Sequence, residues 1–206
     1  MVQSRSKTTR ERVLAAAADL LMERGIADVT IKDIRDRSGV SNGSIFHHFG
    51  SKDGVVAEIF ARERLAYLGR VAEAILDHDG DPCDAFGEGA RAALEWQVAN
   101  PQRFSRLVAA FNDSDWLREN GEIWRDLAHE IEVPVITWAV PHFEAGRLPL
   151  LPATFFQAMI TGFTEKLTQT WTMQRLERDP THFGDEVALM TAAGLKALRE
   201  KQGQQR

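Results

Sequence analysis

Apolar residues recur along this chain at intervals of three and four, and no stretch carries a strand signal of substance. That spacing gathers hydrophobic side chains on one face of a 3.6-residue helix, so the pattern predicts an all-α protein. A first helix is expected from Thr8, where Thr8 and Glu11 form a capping box ahead of Val13, Leu14, Ala17, Leu20 and Leu21; Gly25 ends it. Thr30 caps a short second helix, with Asp33 at its third position, Ile31 and Ile34 on its buried side and Gly39 as a left-handed stop. Ser41 caps a third short helix whose inward face is Ile45 and Phe49. After Gly50 and Ser51 a long amphipathic helix runs from Lys52 to Leu76, with Val55, Val56, Ile59, Phe60, Tyr67, Leu68, Val71 and Ile75 in helical period. At 1.5 Å per residue it spans ~37 Å, enough to bridge two parts of the molecule.

The remainder reads as helices with clear punctuation. An acidic turn at 77–82 leads into a helix from Pro82 to about Ala99, with Phe86, Leu94 and Val98 inward. Asn100 and Pro101 start another, carrying Phe104, Leu107, Val108 and Phe111; residues 112–116 form a loop. Glu122 to Glu144 is helical, with Pro134 and Pro141 expected to kink or split it. A connection at 145–152 precedes a strongly apolar helix from Thr154 to about Leu176. Residues 179–183 recap the chain for a last helix from about Asp185 to Glu200, and KQGQQR is expected to be a disordered tail.

The second and third helices are too short to be stable alone, and the chain supplies a supporting helix on either side. Two such helices joined by a Gly-containing turn describe a helix-turn-helix, whose second helix enters the DNA major groove. Charge agrees with this. Residues 1–52 hold nine Lys or Arg against six Asp or Glu, a balance of +3, within a chain of 206 residues whose net charge is −5. A basic end on an acidic body fits a DNA reader with a body that does not touch DNA. Arg5, Lys7, Arg10 and Arg12 crowd the start of the first helix, either as a solvated terminus or as a basic arm for phosphates or the minor groove.

The run GVSNGSIFHHFGSKDGVV, Gly39 to Val56, resembles the signature of the tetracycline-repressor (TetR) family of transcriptional regulators, with Gly39, Val40, Ser41, Ser44, Ile45, Phe46, His48, Phe49 and Lys52 in the matching slots. The resemblance covers roughly residues 8 to 60. It implies an N-terminal three-helix DNA-binding domain, 1–51, and a larger helical ligand-binding and dimerisation domain, 52–206. It departs from the pattern twice. Phe46 stands where Tyr is usual and offers no hydroxyl, and Arg35 stands where a small residue is usual, so its stem must lie along the surface. DNA-binding residues are expected at Thr30, Lys32, Ser41, Asn42, Gly43, Ser44, Phe46, His47 and Lys52. Asn42 and Phe46 face base edges, Phe46 touching a thymine methyl. Lys32 reaches a base or phosphate, and Thr30, Ser44, His47 and Lys52 hold phosphates.

The body is rich in aromatics, most of which must fill the core or a dimer interface. Helices kinked around such side chains leave concave apolar space, the usual form of a small-molecule pocket. Its expected lining is Trp96, Phe104, Phe111, Trp124, His129, Trp138 and Phe163, for an apolar or aromatic effector. The last two long helices carry stripes too wide for one neighbour: Phe155, Met159, Phe163 and Leu167 on one, Val187, Met190, Gly194, Leu195 and Leu198 on the other. Two helices from each of two chains form a four-helix bundle, the homodimer interface of the resembling family.

Other chemistries find little support. Asp77, Asp79, Asp81 and Glu88 echo a calcium loop, but Pro82 occupies the position that demands Gly. The six His are dispersed and the common catalytic and metal motifs are missing, so no catalytic residue, metal or cofactor is expected. The single cysteine, Cys83, reads as a small buried residue in a reducing compartment, and the N-terminus lacks the apolar core of a signal peptide; the expected location is the cytoplasm. The expected function is a dimeric, ligand-responsive repressor. The alternative is a helical adaptor that keeps the fold and binds a protein partner in place of operator DNA.

Overall fold

The structure, a computed structural model, describes residues 2–105 and 114–204, and of residues 2–7 and 114–128 the backbone alone. The described residues form helices and connections without strands. The chain divides into two compact units, Met1–Glu63 with Asp113–Trp124, and Arg64–Asn112 with Arg125–Arg206.

The first unit contains α1 (Val2–Arg24), α2 (Ile31–Ser38), α3 (Asn42–Phe49) and the beginning of α4 (Lys52–Leu76). Its core is the apolar face of each: Val13, Leu14, Ala17, Leu20 and Leu21 from α1, Ile34 from α2, Ile45 from α3, and Val55, Val56, Ile59 and Phe60 from α4. Val29 and Val40, in the two connections, close it. The caps expected from sequence are present. Thr30 accepts the Asp33 N–H and the Asp33 carboxylate accepts the Thr30 N–H, a complete capping box. Gly39 ends α2 at φ 65°, where a Cβ would be strained.

In the second unit α5 (Pro82–Ala99) is buried over most of its length and packs against α7 (Ala153–Thr172) and α8 (Gly184–Gly203). α6 spans Ser114–Glu144 and belongs to this unit from Arg125 on, its beginning being assigned to the first unit, and a 3₁₀ turn, Pro180–Phe183, precedes α8. Gly87 permits the α5–α8 approach, because a Cβ there would lie 2.6 Å from the Ala188 carbonyl oxygen. Phe86, Leu94, Phe156, Ile160, Val187 and Leu195 are central in the core. Within it sits one polar knot. Gln97, 0% exposed, donates to the Tyr67 hydroxyl at 2.9 Å and to Thr164 Oγ1 at 3.0 Å, and accepts from Thr168 Oγ1 at 2.9 Å. Both N–H donors and one of the two oxygen lone pairs of the amide are filled.

Several boundaries differ from those read in the sequence. α1 starts at Val2, ahead of Thr8, since neither Gly nor Pro stands between them to stop a helix. α6 starts at Ser114, ahead of Glu122, and runs unbroken past Pro134 and Pro141. The carbonyls robbed of a partner by those prolines belong to Glu130 and Thr137, both exposed, so water can take them. α7 ends at Thr172, short of Leu176. There the Gln174 N–H bonds Trp171 O and the Arg175 N–H bonds Thr170 O, a Schellman stop with Gln174 in the left-handed region at φ 56°. The expected tail is helical to Gly203, and the Gln202 amide clasps both the N–H and the C=O of Leu150. Residues 101–105 continue the helical start at Pro101; Leu107, Val108 and Phe111 lie outside the described residues.

Candidate nucleic-acid interface

α3 is seated by one side chain and read from the others. Ile45 is 0% exposed, and Ser41 accepts the Ser44 N–H to fix the first turn. With Ile45 turned inward, the 3.6-residue period turns Asn42, Gly43, Phe46 and His47 outward, and all four are exposed. Phe46 keeps 48% of its surface in water, although an aromatic ring of this size gains by burial. Ser41 is exposed and Ser44 half-buried beside them.

The cations of this unit are largely spent on the protein itself. Arg37 forks onto Glu23 with two bonds of 2.8 Å, Arg62 onto Glu11 at 2.7 and 2.9 Å, and Arg35 onto Asp36 at 2.8 and 2.6 Å. Arg35 thus lays its stem along the surface and neutralises its own charge there. Among the described side chains of this unit, Lys32 is the Lys or Arg that makes no ion pair or hydrogen bond, and it is exposed near the start of α2. Lys52 donates to Ile26 O at 3.0 Å, which leaves two of its three N–H groups.

Two expectations change here. Thr30 was expected to hold a phosphate, but its N–H and its hydroxyl both donate to Asp33, and that carboxylate would repel a phosphate. Arg10 and Arg12 do not form an arm. Arg10 pairs with Glu58, and Arg12 donates to Ser38 O at 2.6 Å. The side chains of Arg5 and Lys7 lie outside the described residues.

The expected effector lining is not brought together. His129 and Phe163 are exposed, Phe163 at 47%, because each falls on the outward side of its helix. Trp96 and Phe104 pack on Tyr67, with ring centroids 5.0 and 6.4 Å away, while Trp138 sets its edge against Phe86 at 6.0 Å. Among the described rings these are two sets of ring contacts on one hydrophobic core. Phe111 and the Trp124 side chain lie outside the described residues. Sequence reasoning missed the polar interior beside the first set: Gln97 with its threonines, and half-buried Arg64 and Glu165. Burial holds the Glu165 carboxyl above its usual range despite Arg64. The signal was available as polar residues at apolar helical positions, Gln97 on α5 and the Thr164–Thr168 pair on α7.

Of the expected dimer residues, Val187 and Leu195 are core, 2% and 1% exposed, because α8 uses that face against α5. Met159, Leu167, Gly194 and Leu198 are half-buried. Phe155, Phe163 and Met190 are exposed, and Leu189, not foreseen, joins them at 68%.

A short helix seated on one buried residue, entered through a left-handed glycine turn and presenting an amide, a ring and an imidazole outward, defines a helix-turn-helix regulator. Residues 13–59 match the family described as "Bacterial regulatory proteins, tetR family", and the helix-turn-helix region of the chain is of that family. Its members are DNA-binding transcription factors and not enzymes. The chain is 35% identical over 137 residues to the HTH-type transcriptional repressor KstR2 of Mycolicibacterium smegmatis, covering 62% of this chain and 66% of that protein. Against the KstR2 repressor of Rhodococcus jostii it is 36% identical over 86 residues, 42% of this chain and 38% of the relative. The match therefore spans less than two thirds of either relative. A putative TetR-family transcription regulator from Shewanella sp. PV-4 shares the fold with a TM-score of 0.66 at 19% identity, over 91% of this chain and 97% of that one. No helix among the described residues is long and apolar enough to cross a membrane.

Proposed function

We propose that this protein is a dimeric, sequence-specific transcriptional repressor that a small molecule releases from operator DNA. The observation that carries the reading is the outward face of α3, where Asn42, Gly43, Phe46 and His47 stand exposed over a buried Ile45. Asn42 offers an amide that pairs with an adenine edge, and Phe46 an apolar ring for a thymine methyl. Ser41, Ser44, Lys32, His47 and the two remaining N–H groups of Lys52 hold phosphates. The test is selection of a duplex from a randomised pool, followed by a gel shift with Asn42→Ala. The substitution should cost ~1–3 kcal/mol and relax specificity at one position. Equal loss on selected and random DNA refutes the role, and a wild type that selects nothing favours the adaptor reading.

Dimerisation is proposed through α7 and α8, whose outer faces leave Phe155, Phe163, Leu189 and Met190 in water. An apolar patch of this kind asks for a partner, and a second copy provides a self-complementary one. Phe163→Glu should leave a monomer in sedimentation; an unchanged dimer moves the interface elsewhere. The effector is proposed to act on the second unit near Trp96 and Phe104. Half-buried Arg64 and Glu165 add polar recognition to a site that the sequence suggested was mostly apolar. By linkage, operator DNA must weaken effector binding by the factor by which effector weakens DNA binding.

A further inference from the structure

The last four carbonyls of a helix have no N–H partner within it. At the end of α3, Phe46 O takes the Gly50 N–H and Phe49 O takes the Ser51 N–H. His48 O is reached by Arg10 Nη1 at 3.4 Å. The same guanidinium forks onto both oxygens of Glu58 on α4, with Nε to Oε1 at 2.9 Å, and lies 5.1 Å over the Phe49 ring. Arg10 therefore joins α1, α3 and α4 at a single planar group, whose fork fixes orientation as well as distance. Two residues along, Arg12 does the same for α2: its Nη2 donates at 2.6 Å to the carbonyl of Ser38, the last residue of that helix. Both cations sit at the negative ends of helix dipoles.

We propose that Arg10 and Arg12 are positioning residues for DNA recognition: they hold the C-terminal ends of the recognition helix and of its partner helix, and neither contacts phosphate. This rests on the DNA-binding reading above. Glu58 is then the acidic arm through which α4 holds α3, so a displacement of α4 is delivered to the recognition helix at Arg10. A phosphate-binding Arg10 makes the opposite demand, because Glu58 would compete with DNA for it.

The experiment uses the full chain, a duplex selected by the wild type from a randomised pool, and a random duplex of equal length, at several salt concentrations. Arg10→Ala, Arg12→Ala and Glu58→Gln should each weaken the selected duplex about tenfold or more, the scale of one lost charge-assisted hydrogen bond. Binding to random duplex should stay within about threefold and the salt slope should not change. Stoichiometric titration at high DNA concentration should show the wild-type active fraction. Arg10→Lys keeps the charge without the fork and should also lose affinity. Tighter binding by Glu58→Gln, or a salt slope lowered by about 0.9 per bound protomer in Arg10→Ala, makes Arg10 a phosphate ligand and overturns the proposal. A reduced active fraction with unchanged affinity makes these residues braces of the fold alone and overturns it as well. If the wild type itself selects no duplex, the DNA reading fails first and takes the proposal with it.

Discussion

The ring of Phe46 allows the sharpest test of recognition, because its postulated partner can be removed one carbon at a time. A phenylalanine side chain offers roughly 200 Å² of surface, and 48% of Phe46 is in water, so about 100 Å² is available to DNA. Covering all of it yields at most ~2.5 kcal/mol at ~25 cal/mol per Å². One thymine methyl covers a fraction of that and is worth ~0.8 kcal/mol, about fourfold in affinity. Each thymine of the selected duplex is replaced singly by deoxyuridine, which deletes the methyl and leaves every hydrogen-bonding edge intact. Affinities are measured by fluorescence anisotropy for the wild type and for Phe46→Ala. One thymine in each half-site should cost the wild type about fourfold, and ~15-fold when both are replaced, since two losses of ~0.8 kcal/mol add. Phe46→Ala should be blind to the same replacement. A deoxyuridine penalty of equal size in both proteins refutes the contact, wherever the thymine lies.

Three further outcomes follow from the fold. Gln97→Leu preserves volume but strands the Tyr67 and Thr168 hydroxyls, and should cost ~1–3 kcal/mol in urea unfolding, while adding Thr168→Val and Tyr67→Phe should recover most of it; no recovery refutes the network's contribution. Gln174→Gly should raise stability by about 1 kcal/mol in the same assay, because Gln174 holds φ 56° at a helix stop that glycine occupies without strain. Hydrogen bonds from the side chain and N–H of Thr30, with Arg24 adding its charge, hold the Asp33 carboxyl below its usual range. A depressed folded value means the capping box stabilises above the ordinary carboxylate range and is lost as pH falls through the folded value. The stability gap between wild type and Asp33→Asn should therefore shrink on acidification, and a gap that widens refutes the assignment.

The N-terminal unit was legible because its caps are local. Thr30 with Asp33, Gly39, and Ser41 with Ser44 each act within a few residues, so sequence spacing contains the geometry. The same holds for Lys52–Leu76 and Pro82–Ala99, bounded as the sequence suggested by Ser51 and by Pro82, to which the structure adds Asp81 as the cap. What sequence hid was set across space. Nothing near Arg10 announces Glu58 or the His48 carbonyl, and a cluster of four basic residues reads as a DNA-binding arm until its partners are known. Val187 and Leu195 share the pattern of Met190, and only the direction of α5 decides which of them face the core. The described part of the pocket lining is dispersed for a related reason. Aromatic residues were pooled by type, while the helices give Trp96 and Trp138 different ring partners, Tyr67 and Phe86, and leave Phe163 exposed.

The knot around Gln97 has a consequence for how the second unit can move. Apolar contacts between helices are forgiving of a slip by one turn, because Leu, Ile and Phe make nearly equivalent neighbours. Gln97 is not forgiving. On α7 its partners are Thr164 and Thr168, one turn apart, and the next positions on that face are Ile160 and Thr172. Sliding α7 a turn in one direction sets Ile160 against the amide, and the lost bond is charged in full in a dry interior. Gln97 thus acts as a one-way detent: it resists the slip of α7 that brings Ile160 to the amide, whereas the opposite slip would offer Thr168 and Thr172 in place of Thr164 and Thr168. Because Phe155 and Phe163 ride on α7, the outer face is indexed to the core by the same three side chains.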